Sequence, residues 1–462
     1  MPLAQLYQHY TSSVNPNGQS QSGDNYKWTV PNAVGASNCV VLGLSYDHNT
    51  TPTVTDNNGN TWPAAAVSQT QGSNDASLFV LPGANAGKTQ YTVSFGANIV
   101  QFQATVTEYC GIATSGAVNG IAAAAVSAPN LACGTLTPGN NDANGGNLVH
   151  AYFSQGGGVT SHVSTFTPGG SFILLDGDIA WVSNNGFPHA SIYFLQTTQA
   201  VINPGITATG DVDGFNCLAV ALKVDNNAGT TPSVFRIVRE LHFTCLNTAT
   251  ANWKLHTPMD GNLGILITAF FDNAFTATIS DSDGGSWVER IGVSGAPYLY
   301  SSENRSANTN RTSTVALSST QSLISFVFYD VAGADISSFD GSAGVGSTNA
   351  TGSIADFPDL TPGTNHVGVS FATMGSVSGG PILSVTGPSG AYSDATDYSN
   401  KGNNDLIDNG DYYAHHFYSS NALQSWAWTW SANENNNAAA AAFKSSSAGD
   451  GGSSTLMGQI CL

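Results

Sequence analysis

Glutamates are scarce enough in this chain to be examined one by one, since only five occur: Glu108, Glu240, Glu289, Glu303 and Glu434. Glu108 and Asp330 stand at matching points of two related segments, and a carboxylate pair is what glycoside hydrolysis uses. Such a pair must flank one bond, whereas these two belong to separate folding units, so no shared active site is expected. No nucleophile elbow or comparable context marks a Ser-His-Asp or Cys-His arrangement. His415 and His416 are adjacent in an expected strand, where their rings point to opposite faces and suit one metal badly. The reading is of a protein that is not an enzyme.

Two loops could hold an ion. Asp56-Asn57-Asn58-Gly59-Asn60-Thr61-Trp62 and Asp281-Ser282-Asp283-Gly284-Gly285-Ser286-Trp287 each lie between two expected strands. Alternating Asp and Asn oxygens beside a glycine resemble half of a calcium loop, which makes Asp56, Asp281 and Asp283 the candidate metal ligands. The glutamate expected at loop position twelve is missing from both copies. The preferred reading is therefore a hairpin turn, with glycine taking positive φ and Asx bonding the turn backbone. On that reading Trp62 and Trp287 enter the core, and alanine at Asn57 or Ser282 is tolerated. No cofactor other than calcium is suggested.

A third constellation is aromatic. Trp426, Trp428 and Trp430 alternate along one expected strand and share a face, with Tyr412, Tyr413, Phe417 and Tyr418 close by. On an exposed face such a stripe stacks on sugar rings, which makes the three tryptophans candidate ligand-binding residues. On a buried face it is core or subunit contact, and that reading is preferred. The sequons at Asn49, Asn304, Asn310 and Asn349 are what a chain rich in Asn, Ser and Thr produces by chance.

These candidates sit on a duplicated scaffold. Trp28 to Trp62 lies on Trp253 to Trp287 without a gap, matching Asp47 with Asp272, Asp56 with Asp281 and Gly59 with Gly284. Short alternating runs give strands at 39–45, 51–55, 76–81, 89–95 and 100–109, copied at 264–270, 276–280, 298–301, 314–317 and 323–329. Leu136-Thr137-Pro138-Gly139 recurs as Leu360-Thr361-Pro362-Gly363, and strand 217–223 recurs at 438–444. The expected fold is all-β: four jelly-roll-like β-sandwiches in two tandem pairs, over residues 1–115, 116–228, 229–337 and 338–462. The halves meet at the polar linker Asp225-Asn226-Asn227-Ala228-Gly229, and the small-residue connectors 112–132 and 333–354 are expected to lie against the sandwiches.

Composition narrows the partners. Charged residues are 9% of the chain, against roughly 25% in ordinary soluble domains, while the 41% apolar fraction can build real cores. Eleven basic residues against thirty acidic ones give a net charge of −19 with no basic patch, which argues against nucleic acid. No run of about 18 apolar residues exists to span a membrane. Met1-Pro2-Leu3-Ala4-Gln5 opens no signal peptide, so release by lysis, a signal-less secretion route or an added Met is expected. Six cysteines permit three bridges. Cys39–Cys110 is one candidate pairing, and buried free thiols are the alternative.

Strand, then Asp-x-x-Gly-Asn-Thr-Trp, then a strand ending Thr-Glu-Tyr-x-Gly resembles the tandem β-sandwich modules of phage virion proteins and bacterial surface proteins. The residues that carry the resemblance are Asp56, Gly59, Asn60, Thr61, Trp62, Glu108, Tyr109 and Gly111. The second half departs from the pattern at Gly285, Ser286 and Val331. The resemblance implies an architectural role on a virion or extracellular surface: a homo-oligomeric tail fibre, spike or capsid decoration. The rival expectation is a carbohydrate-binding adhesin that contacts a glycan receptor.

Overall fold

The computed structural model describes residues 4–12, 25–47, 50–96, 102–156, 163–178, 188–210, 212, 214–248, 252–270, 277–292, 298–318, 321–354, 361–363, 367–376, 382–386, 388–389, 391–394 and 412–446. The protein is all-β, and the one helical piece among these residues is a 3-10 turn over Asp142–Asn144. The first unit holds β1 (Gln5–Ser12), β2 (Asn25–Thr29), β3 (Cys39–Asp47), β4 (Thr53–Asp56), β5 (Val67–Gln71), β6 (Asn74–Leu81), β7 (Gln90–Ser94) and β8 (Phe102–Cys110). The second holds β9 (Val118–Val126), β10 (Asn130–Ala132), β11 (Asn147–Gln155), β12 (Val163–Pro168), β13 (Ile173–Asp178), β14 (His189–Gln196), β15 (Gly205–Gly210) and β16 (Phe215–Lys223). The third repeats the first: β17 (Arg236–Thr248), β18 (Asn252–His256), β19 (Leu263–Phe270), β20 (Ala277–Asp281), β21 (Val288–Gly292), β22 (Tyr298–Ser302), β23 (Thr312–Leu317) and β24 (Gln321–Ala332). The fourth holds β25 (Ala334–Ile354), β26 (Gly368–Ser376), β27 (Ile382–Thr386), β28 (Tyr392–Asp394), β29 (Tyr412–Tyr418) and β30 (Ala427–Ser445).

The duplicated units share one sheet. Its order is β21-β22-β19-β24-β17-β1-β8-β3-β6-β5, which maps onto its own reverse when each strand is exchanged for its duplicate. The join is β1 against β17, the one parallel pairing among the described strands, with His9 opposite Arg239 and Tyr10 opposite Glu240. A pseudo-two-fold axis along those strands turns the sheet over, so the two sandwiches close on opposite faces. On the first unit, the three-stranded sheet β2-β7-β4 closes a core of Trp28, Leu42, Tyr91, Val93 and Phe102. The matching strands of the third unit close Leu266, Val315 and Phe328.

The second and fourth units cover the faces left over. Leu148, Tyr152 and Leu218 pack on Val41 and Leu78, while Val369, Phe371 and Phe443 pack on Ile265 and Val327. The sheets run across unit boundaries here too: β18 of the third unit joins β13 of the second through Gly177 and His256. The connectors expected at 112–132 and 333–354 are edge strands, β9 with β10 and β25.

The thiols Cys39, Cys110, Cys133 and Cys217 are free and buried, so of the two readings the free thiols hold and the Cys39–Cys110 pairing does not. Cys39 stands opposite Tyr109 in the β3–β8 ladder, so Cys110 is one residue out of step and projects from the other face.

Candidate functional site

The paired turn motif is a clasp, built differently in its two copies. Asp56 Oδ1 accepts from the backbone N–H of Asn58 (2.9 Å) and Asn60 (3.3 Å). Its Oδ2 accepts from Asn60 Nδ2 (3.0 Å) and Trp62 Nε1 (2.8 Å). In the other copy Gly285 replaces Asn60, and Arg305 fills the space: a Cβ on Gly285 would collide with the Arg305 guanidinium. Arg305 Nη2 donates to Asp281 Oδ2 (2.8 Å) and Asp283 Oδ1 (2.6 Å), and Arg311 Nη2 to Asp283 Oδ2 (2.6 Å). The Arg311 guanidinium holds the Asp283 carboxyl well below the usual carboxylate range. An ion at Asp56 would have to displace amide and indole donors, and one at Asp281 or Asp283 would have to displace arginines.

Two expectations about this motif change. Trp62 and Trp287 are half-buried at the rim of their cores rather than inserted in them. Asn57 and Ser282 also carry structure, because Asn57 Oδ1 accepts from Gln90 N–H (2.8 Å) and Ser282 Oγ from Thr312 N–H (3.1 Å). The glycines behave as read, at φ +71 in Gly59 and +76 in Gly284, with nothing near an added Cβ. Gly59→Val and Gly284→Val therefore each cost about 1 kcal/mol through the backbone alone. Denaturant unfolding of the two variants measures this, and a wild-type midpoint would overturn it.

Glu108 and Asp330 are buried and perform one job twice, each gathering the N–H groups of the loop before its neighbouring strand. Glu108 accepts from Gly35 N–H (2.8 Å) and from Gln8 Nε2 (2.6 Å), and also from Asn38 Nδ2. Asp330 accepts from Asp260 N–H (2.8 Å), Gly261 N–H (2.9 Å) and Arg239 Nη1 (2.8 Å). Gln8 and Arg239 are thus duplicates with different charge. Burial raises the Glu108 carboxyl to about 7, against the pull of its three donors.

The residues missed in the sequence lie on β1 and β17, where polar side chains face the layers above and below the shared sheet. Thr107 Oγ1, His9 and Asp176 Oδ2 form a hydroxyl–imidazole–carboxylate chain with both links at 2.8 Å, and His189 Nε2 lies 3.3 Å from the same Asp176 oxygen. Hydrolases use that order of groups, but here each member is at most 1% exposed, so the hydroxyl has no open side to meet a substrate. Burial pushes the His9 imidazole down, which leaves Nε2–H donating to Asp176 and Nδ1 accepting from Thr107. Burial alone would raise Asp176, yet the imidazoles of His189 and His9 outweigh it and hold the carboxyl well below the usual range. Arg239 completes the seam by donating to Leu175 O (3.0 Å) and to Asp260 Oδ2 (2.7 Å). The one signal available in the sequence was His9 beside Gln8 and the close run of Arg239, Glu240 and His242 in a β-rich chain.

Glu240, next along β17, is fully buried: Oε1 accepts from Tyr329 OH (3.3 Å) and lies 2.9 Å from His242 Nε2, while Oε2 has no partner among the described residues. Burial raises its carboxyl to about 8. A carboxyl raised on folding stabilises below its unfolded value and loses that contribution as pH climbs through the folded one. Wild-type stability should therefore fall between about pH 4.5 and 8, and Glu240→Gln should flatten the decline and be the more stable protein at pH 9. Melting temperatures at pH 5, 7 and 9 decide it, and parallel curves for the two proteins would sink the assignment.

Of the candidate sugar-binding residues, Trp426 is fully buried just before β30. Trp428 and Trp430 pair with Val385 and Ile382 on β27, and their side chains lie outside the described residues. His415 is buried with Nε2 2.7 Å from Pro31 O, and His416 turns the other way to Gln424, as the strand alternation required. Asn304 and Asn310 are exposed, whereas Asn49 lies outside the described residues. No family model matches the chain, and no curated protein matches it in sequence.

Proposed function

We propose that this protein is a non-enzymatic structural component of a virion or an extracellular surface, working as a homo-oligomer in a fibre, spike or capsid decoration. The observation that carries the reading is the shared ten-stranded sheet. Its buried His9 and Arg239 bond Asp176 and the Leu175 carbonyl of the neighbouring layer, which suits a rigid building block. Duplicated tandem sandwiches of low charge are the kind of unit that stacks into such assemblies. Light scattering on size-exclusion fractions, with negative-stain images of the same material, tests this. A strictly monomeric protein at high concentration that coats no particle would overturn it. A carbohydrate-binding adhesin is the second reading and rests on Trp428 and Trp430 in β30. A glycan array read with and without calcium separates the two, and binding in neither condition leaves architecture alone.

A further inference from the structure

Sheet edges expose unpaired N–H and C=O groups, and natural proteins guard them with charges, prolines or very short strands. Most edges of this protein follow that rule. Among edge strands with described side chains, β2, β4, β20, β21 and β25 each carry a charged residue, such as Asp281 on β20 or Glu289 on β21. Strand β12 ends in Pro168, and β10 has only three residues. The exceptions are β9 and β5, which hold neither a charge nor a proline. They lie at one corner, where Gln71 Nε2 donates to Ser127 Oγ (3.3 Å).

The duplication supplies an internal control. Opposite β30, Phe339 and Ser342 of β25 occupy the register that Val118 and Ile121 of β9 occupy opposite β16. At the β25 corner, Arg290 of β21 lies over the Phe339 ring at 4.5 Å, and Ser342 Oγ donates to Arg290 O. At the β9 corner the duplicate strand β5 packs alongside and Gln71 bonds Ser127, but among the described residues no cation covers Val118, and Val118 and Ile121 are 39% and 50% exposed. The same fold thus has one corner guarded by an arginine and one without a charge. The loop at Gly139 bonds Asn119 O and covers the start of β9, which leaves the edge from Ile121 to Val126.

We propose that this edge pairs with β9 of a second copy, antiparallel about a two-fold axis, so that the eight-stranded sheets of two chains continue into one another. The inference deepens the assembly reading above and rests on it. A second copy is the occupant that fits, because an isologous contact needs a strip that matches itself. The exposed Ile121, Ala123 and Ala125 are small or apolar and alternate along the strand, so the reversed strand meets like with like. Charge points the same way: at −19, two copies repel over most approaches, and this strip carries none of that charge.

Sedimentation of the full chain over a concentration series tests the pairing. The wild type should reach the mass of two chains or more. Ala123→Lys with Ala125→Lys should fall to one chain with an unchanged melt, since both side chains are exposed. Ile121→Ser, the residue found at the guarded corner, should raise the dissociation constant roughly tenfold. If both variants keep the wild-type mass, the edge pairing is overturned while the assembly reading stands. A wild type that is a single chain at every concentration overturns both. Dimers that these variants dissolve, but that build no fibre or particle, support the pairing and remove the fibre reading.

Discussion

Arg239→Met destabilises the protein by about 3–5 kcal/mol, the cost of removing one partner from a buried ion pair. The guanidinium is fully buried, and it joins Asp330 and Asp260 of the third unit to the Leu175 carbonyl of the second. Methionine fills much of the volume but leaves the Asp330 carboxylate without its counter-charge. The first unit shows how the loss can be offset, because Gln8 and Glu108 occupy the equivalent places with no arginine. Arg239→Gln with Asp330→Glu should therefore recover part of the stability that Arg239→Gln alone loses. Urea unfolding of the single and double variants measures the coupling. A cost below about 1 kcal/mol for Arg239→Met would mean that the pair is solvated and the seam is not dry.

Asp176→Ala is the second large lesion, at about 3–4 kcal/mol, because it leaves His9, His189 and the Ser191 N–H facing a buried space without an acceptor. Asp176→Asn should cost less at neutral pH. The amide oxygen still serves Ser191, and His9 can move its proton to Nδ1 and donate to Thr107. The pH dependence separates the roles. A carboxyl held below its ordinary value stabilises above that value and loses the contribution as pH falls towards its folded one. Wild-type stability should drop below about pH 4, and both variants should show a shallower acid limb. An acid limb unchanged in Asp176→Asn would move the effect to another carboxylate.

Much of the first and third units was legible because their strands alternate cleanly and end at Asx-Gly turns. β3, β6 and β8 and their duplicates fall within a few residues of the runs read from sequence. β1 and β17 were not legible. The strands read from sequence begin only at 39 and 264, since a central strand whose polar side chains bond neighbouring layers has no wet face to produce simple alternation. The β9 segment reads as a small-residue connector for a related reason: an edge strand packs little, so alanine serves it as well as valine would.

What the residues determined by themselves was the duplication, the all-β class and the turn motif, because each depends on local spacing, on a period of two and on glycine at positive φ. Only the tertiary structure decided that the duplicated units join through β1 and β17 into one sheet, and that Glu108 and Asp330 are loop anchors in separate places. It also decided that Arg305 stands where Asn60 would suggest an amide, and that Trp62 sits at a rim. Each of those depends on which residues distant in the chain come to face one another, and a pairing between strands more than two hundred residues apart leaves no periodicity in either strand.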